Sequence, residues 1–254
     1  MSDLFSLSGK VALIAGSTRG IGWAIGKSMA EAGATVVLNG RDEAKLAERV
    51  SELKELGYSA SAIAFDVTDE AAAVNAVAAI VKEHGRLDVL AVNAGTTHRT
   101  ALTEHTTEDF LKVINTNVSA AFVLAREASK PMVAQKSGRI IVVSSMMGQV
   151  ARPNNAGYVA SKGGATALCK ALAVELGEHS ITCNALCPGF TRTDLTQALQ
   201  DNPEFDQWVA SRTPLGRWAD PTEIGGAAVF LASDAASFIT GHALNVDGGV
   251  VVNV

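Results

Sequence analysis

Val11-Ala12-Leu13-Ile14-Ala15-Gly16-Ser17-Thr18-Arg19-Gly20-Ile21-Gly22 is the stretch whose reading decides the fold. Five consecutive apolar residues closed by a glycine read as a short strand buried on both faces. Beyond the glycines, residues 21–32 carry apolar side chains at helical spacing. A strand that feeds a helix through three glycines opens a βαβ unit. Glycine permits the tight turn and the close approach of backbone to a pyrophosphate. The helix N-terminus then supplies free N–H groups and the positive end of a dipole. The spacing Gly-x-x-x-Gly-x-Gly is not the commonest dinucleotide fingerprint, so the position between first strand and first helix carries the reading. Gly16, Ser17, Arg19, Gly20, Ile21 and Gly22 are accordingly candidate cofactor contacts.

Outward from this unit the alternation continues to the C-terminus. Apolar runs at 35–38, 61–65, 87–92, 139–144, 181–186 and 243–246 read as further buried strands. Amphipathic stretches at 43–56, 70–83, 108–134, 158–176 and 222–232 read as helices. Strands alternating with helices predict a parallel sheet covered on both faces. The expected fold is α/β: a single doubly wound, Rossmann-type domain over residues 1–254 with a seven-stranded parallel sheet. Residues 191–218, between the sixth and seventh strands, break the rhythm and read as a helical lid over the site.

Composition narrows the function classes. With 48% hydrophobic residues, 23 Gly and only 6 Pro, the 254-residue chain can bury a large core and shows no extended disorder. A net charge of −5 without a Lys/Arg cluster argues against nucleic acid or an anionic membrane as partner, because both demand phosphate neutralisation. Met1-Ser2-Asp3-Leu4-Phe5 lacks the basic and apolar segments of a signal peptide, and no apolar run approaches the roughly 20 residues that span a bilayer. The expected location is the cytoplasm. Cys169, Cys183 and Cys187 have no metal-type spacing and read as small buried hydrophobes in a reducing compartment. The five histidines are scattered, so no metal site is expected.

The end of the second strand bears on which dinucleotide is bound. An acid there suits the ribose 2′-hydroxyl of NAD, and a basic residue suits the 2′-phosphate of NADP. The chain reads Asn39-Gly40-Arg41-Asp42, with glycine where the acid is expected and arginine next to it. Asp42 reads as the N-cap of the following helix. NADP(H) is the expected cofactor, with Asn39 and Arg41 near its adenosine end and Arg19 as a second phosphate contact.

The fifth strand ends in Val142-Val143-Ser144-Ser145, and thirteen residues after Ser145 comes Tyr158-Val159-Ala160-Ser161-Lys162. Tyrosine and lysine at i and i+4 share one helical face. A free phenol ionises near pH 10, and a cation within roughly 4–6 Å favours the phenolate. The pair can therefore exchange a proton with a substrate, while a serine hydroxyl beside it holds the substrate oxygen.

With these residues the chain resembles the short-chain dehydrogenase/reductase family along nearly its whole length. The landmarks fall in order: the glycine turn, Asp66-Val67, Asn93-Ala94-Gly95, Asn117, Ser145, Tyr158 with Lys162, Pro188-Gly189, and Asp247-Gly248-Gly249. The resemblance implies that Tyr158 is the acid/base and that Lys162 binds the nicotinamide ribose and lowers the tyrosine pKa. It implies that Ser145, picked from the serine pair by the family's spacing to Tyr158, orients the substrate oxygen. Asn117 would hold a water in a proton relay. Asp66 and Val67 would contact the adenine, while Asn93, Ala94, Gly95, Pro188 and Gly189 line the cofactor, and Thr191 and Thr193 lie at the nicotinamide. Val92 stands where the family usually carries a further asparagine, which reads as a packing change.

The framework is similar to the gluconate 5-dehydrogenase branch of that family, notably at 3–9, 36–41, 65–69 and 213–218. This implies an NADP-linked interconversion of a secondary alcohol and a ketone on a sugar acid such as gluconate. The likeness fades at 96–103 and 146–155, which should line the substrate pocket. There Arg99 is the candidate for meeting a substrate carboxylate. Met146, Met147 and Gln149 suggest a more apolar wall, which suits a 3-oxoacyl thioester or a general ketone instead. A non-catalytic NADP(H) sensor on the same scaffold is a third reading, disfavoured by the joint presence of Ser145, Tyr158 and Lys162. The helices at 108–134 and 158–176 match those through which relatives assemble, so a homotetramer is expected.

Overall fold

In the computed structural model, which describes residues 3–253, the apolar run at Val11–Ala15 forms β1. The other strands are β2 (Thr35–Gly40), β3 (Ala60–Ala64), β4 (Val89–Val92), β5 (Gly138–Val143), β6 (Ile181–Pro188) and β7 (Ala243–Val246). They form one parallel sheet in the order β3-β2-β1-β4-β5-β6-β7. Successive residues of β1 face opposite sides, so both sides need cover. Val11, Leu13 and Ala15 enter one apolar cluster, and Ala12 and Ile14 the other.

The helices supply that cover. They are α1 (Gly20–Glu31), α2 (Glu43–Glu55), α3 (Glu70–His84), α4 (Thr107–Ile114), α5 (Ala120–Gln135), α6 (Ala156–Leu176), α7 (Gln197–Gln200), α8 (Pro203–Arg212) and α9 (Pro221–Ala232). Ile25 and Met29 of α1, Leu46 and Leu53 of α2 and Ile224 of α9 fill one face. Val77 and Ile80 of α3, Leu124 of α5 and Cys169 of α6 fill the other. None of the helices described is long and apolar enough to cross a membrane.

The sheet reverses its winding between β1 and β4, where the crossovers run in opposite directions. That reversal opens a crevice at the carboxyl ends of the strands, the place where ligands bind in this architecture. The strand and helix readings hold, with two differences. β3 and β7, read as buried, are half-exposed, because each has only one neighbouring strand and lies at an edge of the sheet. The helix read over 108–134 is interrupted at Asn115–Ser119 by a single wide turn with i→i+5 bonding. Such a turn inside a helix shifts the following residues round the axis and tends to mark a functional position.

Candidate active site

A cleft of about 760 Å³ opens along the carboxyl ends of β1, β2, β4, β5 and β6. Its first wall is the glycine turn. Gly16 and Gly20 adopt left-handed backbone at φ +77° and +56°, which only glycine enters freely. A side chain at Gly16 would lie 2.7 Å from Ala94 Cα, and one at Gly22 would lie 2.1 Å from the Gly16 carbonyl oxygen. The turn can fold this tightly against β4 only without β-carbons.

Helix α1 begins at this wall without a side-chain cap, since Arg19 is extended and bonds no N–H of the first turn. The neighbouring helices α2 and α3 are capped by Asp42 and Asp69. The uncapped N–H groups of α1 therefore face the cleft as donors for an anion, which fits the pyrophosphate of a dinucleotide.

The sequence-predicted cofactor residues divide into those that line the cleft and those that hold it up. Gly16, Arg19, Gly20, Ile21, Asn39, Arg41, Asp66, Val67, Asn93, Ala94, Gly95, Pro188, Gly189, Thr191 and Thr193 line it. Ser17 and Gly22 do not. Ser17 is fully buried; its hydroxyl donates to the Ile14 carbonyl at 2.8 Å and accepts the Asn39 N–H at 3.0 Å. Asn39 lines the cleft but spends its side chain on the framework, accepting the Gly16 N–H and donating to the Ile63 and Phe65 carbonyls. Asn93 likewise donates to the Gly16 carbonyl at 2.7 Å.

At the end of the cleft beside β2 and β3, Arg41 is exposed and lies 3.6 Å from an Asp66 carboxylate oxygen. Hydrogen bonds from Thr68, aided by Arg41, hold the Asp66 carboxyl below the usual range. Asp42 caps α2 through the Lys45 N–H at 3.0 Å, as the sequence predicts. Thr18 carries no local signal of its place, yet its methyl carbon would lie 2.5 Å from a β-carbon at Gly40. Arg19 reaches across to Asp194, in the segment that follows β6, 3.2 Å away.

At the other end the cleft reaches Ser145, Tyr158 and Lys162. Ser145 lies two residues beyond the end of β5 and accepts the Met147 N–H, which fixes its rotamer. Tyr158 and Lys162 stand one turn apart on α6, with Lys162 Nζ 5.5 Å from the tyrosine ring centre. Lys162 is buried and donates to the Val143 carbonyl at 2.7 Å. Burial lowers its pKa to about 8. Burial raises the Tyr158 phenol, against the opposing pull of the Ser145 hydroxyl and the Arg99 charge. In the protein alone Lys162 is thus turned to a strand carbonyl, and desolvation dominates the phenol.

Asn117 sits in the wide turn and is buried. Its side-chain oxygen accepts the Thr96 N–H at 2.8 Å, and its amide donates to the Thr96 carbonyl and the Ser161 hydroxyl, each at 2.9 Å. A β-carbon at Gly95 would lie 3.3 Å from this oxygen and 3.6 Å from Lys162 Nζ. Asn117 thus braces the lysine's surroundings and does not itself line the cleft.

Met146 and Met147 are buried with Val250 in a small apolar cluster beneath Tyr158. They do not form the apolar wall their sequence position suggests, because the tight turn Met146–Gly148 directs them inward. Gln149 is bonded to Asn245. Arg99 lies on the exposed loop beyond β4, outside the cleft lining proper.

Comparisons with known proteins show which family this fold and sequence belong to. Residues 15–251 match the family described as enoyl-(acyl carrier protein) reductase. The chain is 42% identical to gluconate 5-dehydrogenase of Gluconobacter oxydans, covering 99% of this chain and 98% of that protein. It is 39% identical to a 3-oxoacyl-[acyl-carrier-protein] reductase of Rickettsia bellii, covering 98% of this chain and 100% of that protein. A gluconate 5-dehydrogenase from Burkholderia cenocepacia, solved in complex with NADP and tartrate, superposes with a TM-score of 0.96 at 37% identity over 99% of both chains. Sheet order, an uncapped glycine turn facing the crevice and a full-length match thus converge: the chain belongs to the short-chain dehydrogenase/reductase family, as an oxidoreductase acting on secondary alcohol groups.

Proposed function

We propose that this chain uses NADP(H) to interconvert a secondary alcohol and a ketone on a sugar acid of the gluconate/5-keto-gluconate kind. The observation that carries the reading is the meeting of Ser145, Tyr158 and Lys162 at one end of a cleft whose other end is the uncapped turn of α1. NADP(H), when bound, supplies or takes up the hydride. The chain's own residues do the rest.

Tyr158 gives its phenolic proton to the carbonyl oxygen during reduction and takes it back during oxidation. Ser145 holds that oxygen in line for the transfer. Lys162, with Asn117 and Gly95 packed around it, is close enough to the phenol to bias its proton once its own charge faces the cleft. The Asn117 side chain is committed to Thr96 and Ser161, so a relay water there would rest on the Asn117 backbone carbonyl. Arg41 and Arg19 would hold the adenosine phosphates and Asp66 the adenine, and the exposed Arg41 guanidinium suits a 2′-phosphate.

The sugar-acid reading draws on Arg99, on the loop leaving the strand end that carries Asn93-Ala94-Gly95 and near enough for its charge to bear on the Tyr158 phenol, as a guanidinium that can grip a substrate carboxylate. The Gluconobacter and Burkholderia relatives support the same class. A 3-oxoacyl thioester is the second reading, favoured by the Rickettsia relative. NADPH oxidation followed at 340 nm against 5-keto-gluconate, an acetoacetyl thioester and a neutral ketone decides between them. Turnover confined to the thioester would overturn the proposal.

Residues 191–218 act as the lid of a single dinucleotide-binding and catalytic domain in a cytoplasmic enzyme. The assembly is a homotetramer, supported by exposed apolar side chains on the helices concerned: Leu111 on α4, Phe122 on α5 and Val174 on α6.

A further inference from the structure

Every arginine but two has a partner: carboxylates, carbonyls or an amide hold the others. Arg99 and Arg152 pair with none among the described residues, and they lie together. Arg99 is on the loop leaving β4, and Arg152 on the loop entering α6. Two hydrogen bonds tie these loops. The Thr97 hydroxyl donates to the Asn155 side-chain oxygen at 3.2 Å, and the Thr100 N–H donates to the Asn154 carbonyl at 3.2 Å. Asn154 makes the bend by entering left-handed backbone, φ +60°, which asparagine tolerates better than most residues.

The two cations repel one another across this seam. Burial and the Arg99 charge together hold the Arg152 guanidinium below its ordinary pKa. Arg152 is kept there from the far side by the lid. Its guanidinium carbon lies 4.5 Å from the ring centres of both Phe205 and Trp208 on α8. Those rings pack in turn on Phe190, at 6.0 and 5.6 Å. A guanidinium stacked on aromatic faces keeps its N–H edge free for a planar anion. The Arg152 edge beside the Arg99 guanidinium, with no acid paired to either among the described residues, favours a carboxylate over any neutral group.

We propose that Arg152 joins Arg99 in a two-guanidinium clamp on the substrate carboxylate, with the lid aromatics Phe205 and Trp208 setting its position. This deepens the sugar-acid reading above and rests on it. Arg152 is a specificity-determining residue contributed by a loop that the lid must cover before it is in place.

The test compares D-gluconate with D-gluconamide, which keeps every hydroxyl and removes the charge, as substrates for oxidation by the NADP-loaded enzyme. Wild type should prefer the acid. Arg152→Met, which keeps an apolar stem against the rings, should cut the acid-to-amide ratio of kcat/KM about 10- to 100-fold, the scale of hydrogen bonds to a charged group. Arg152→Lys should recover part of that ratio. If both arginines grip one carboxylate, the losses in Arg152→Met and Arg99→Ala should be non-additive in the double variant. A wild type without preference for the acid overturns the sugar-acid reading and the clamp together. A wild type that prefers the acid, with a ratio unmoved in Arg152→Met, overturns the clamp alone. NADPH affinity and melting temperature measured alongside serve as the control. Equal losses on acid and amide accompanied by a weakened NADPH complex would show that Arg152 only supports the lid, and would also overturn the clamp.

Discussion

At the scale of single residues, the environment of the phenol and the ammonium determines the chemistry. Burial pushes Tyr158 up, so the free enzyme carries it protonated at neutral pH, ready for ketone reduction. Alcohol oxidation needs the phenolate, and its kcat/KM should rise towards alkaline pH while that of reduction does not. Tyr158→Phe keeps the ring and should lower kcat about 10²–10⁴-fold with NADPH binding little changed. Near-normal turnover would remove Tyr158 from its role. For Lys162, the pKa falls from 10.5 in the open chain to about 8 in the fold. Between those values the unfolded chain holds a proton that the folded chain lacks, so stability rises with pH across the window and is lost as pH falls through 8. The whole effect is about 3 kcal/mol. Melting temperatures at pH 8 and 10 should therefore diverge between wild type and Lys162→Met, and parallel behaviour would contradict the buried, depressed lysine. Arg41→Ala should lower the NADP(H)-to-NAD(H) ratio of kcat/KM about tenfold. Adding Gly40→Asp to favour NAD(H) meets the Thr18 methyl, so the acid should act fully only together with Thr18→Ser. A ratio indifferent to Arg41 would refute its role.

At the scale of elements, the wide turn at Asn115–Ser119 couples helix to site. It brings Asn117 to three hydrogen bonds that tie the end of β4, through Thr96, to α6, through Ser161. Asn117→Ala strands the Thr96 N–H and carbonyl in a part-buried place. The expected cost is about 2–4 kcal/mol of stability, two or three buried hydrogen bonds at the low end of their range. Activity should fall as well, because Gly95 and Lys162 lose their brace. Denaturant unfolding of the variant checks the first expectation and kcat the second; an unchanged midpoint would mean the turn holds its shape without Asn117. The glycine turn is the opposite case, an element defined by absent side chains. Gly16→Ala would bring a carbon to within 2.7 Å of Ala94 in left-handed backbone, so both fold and cofactor site should suffer.

At the scale of the molecule, two apolar clusters on either side of one sheet account for the architecture, and the half-exposed edges mark where it stops. Apolar groups left outside the clusters, such as Phe238, Val174 and Val252, are more than three-quarters exposed. In a tetramer such surface is covered. Light scattering at micromolar concentration should give four chains per particle, and a monomer would refute the assembly.

The order of elements, the glycine turn and the pairing of Tyr158 with Lys162 on one helical face were legible in the sequence because each rests on local rules, whereas Ser145 was singled out by the family's spacing to Tyr158. Apolar runs, helical periodicity, an Asx cap and an i, i+4 pair are properties of neighbouring residues. The tertiary structure alone decided what depends on pairs distant along the chain. Nothing in the order of residues could place Thr18 against Gly40, commit Asn39, Asn93 and Ser17 to the framework, or turn Met146 and Met147 away from the cleft. Nor could it set Arg152 between Arg99 and two aromatic rings from another element. Those facts follow from close packing, in which a side chain's role is set by which strand end or helix the fold brings against it.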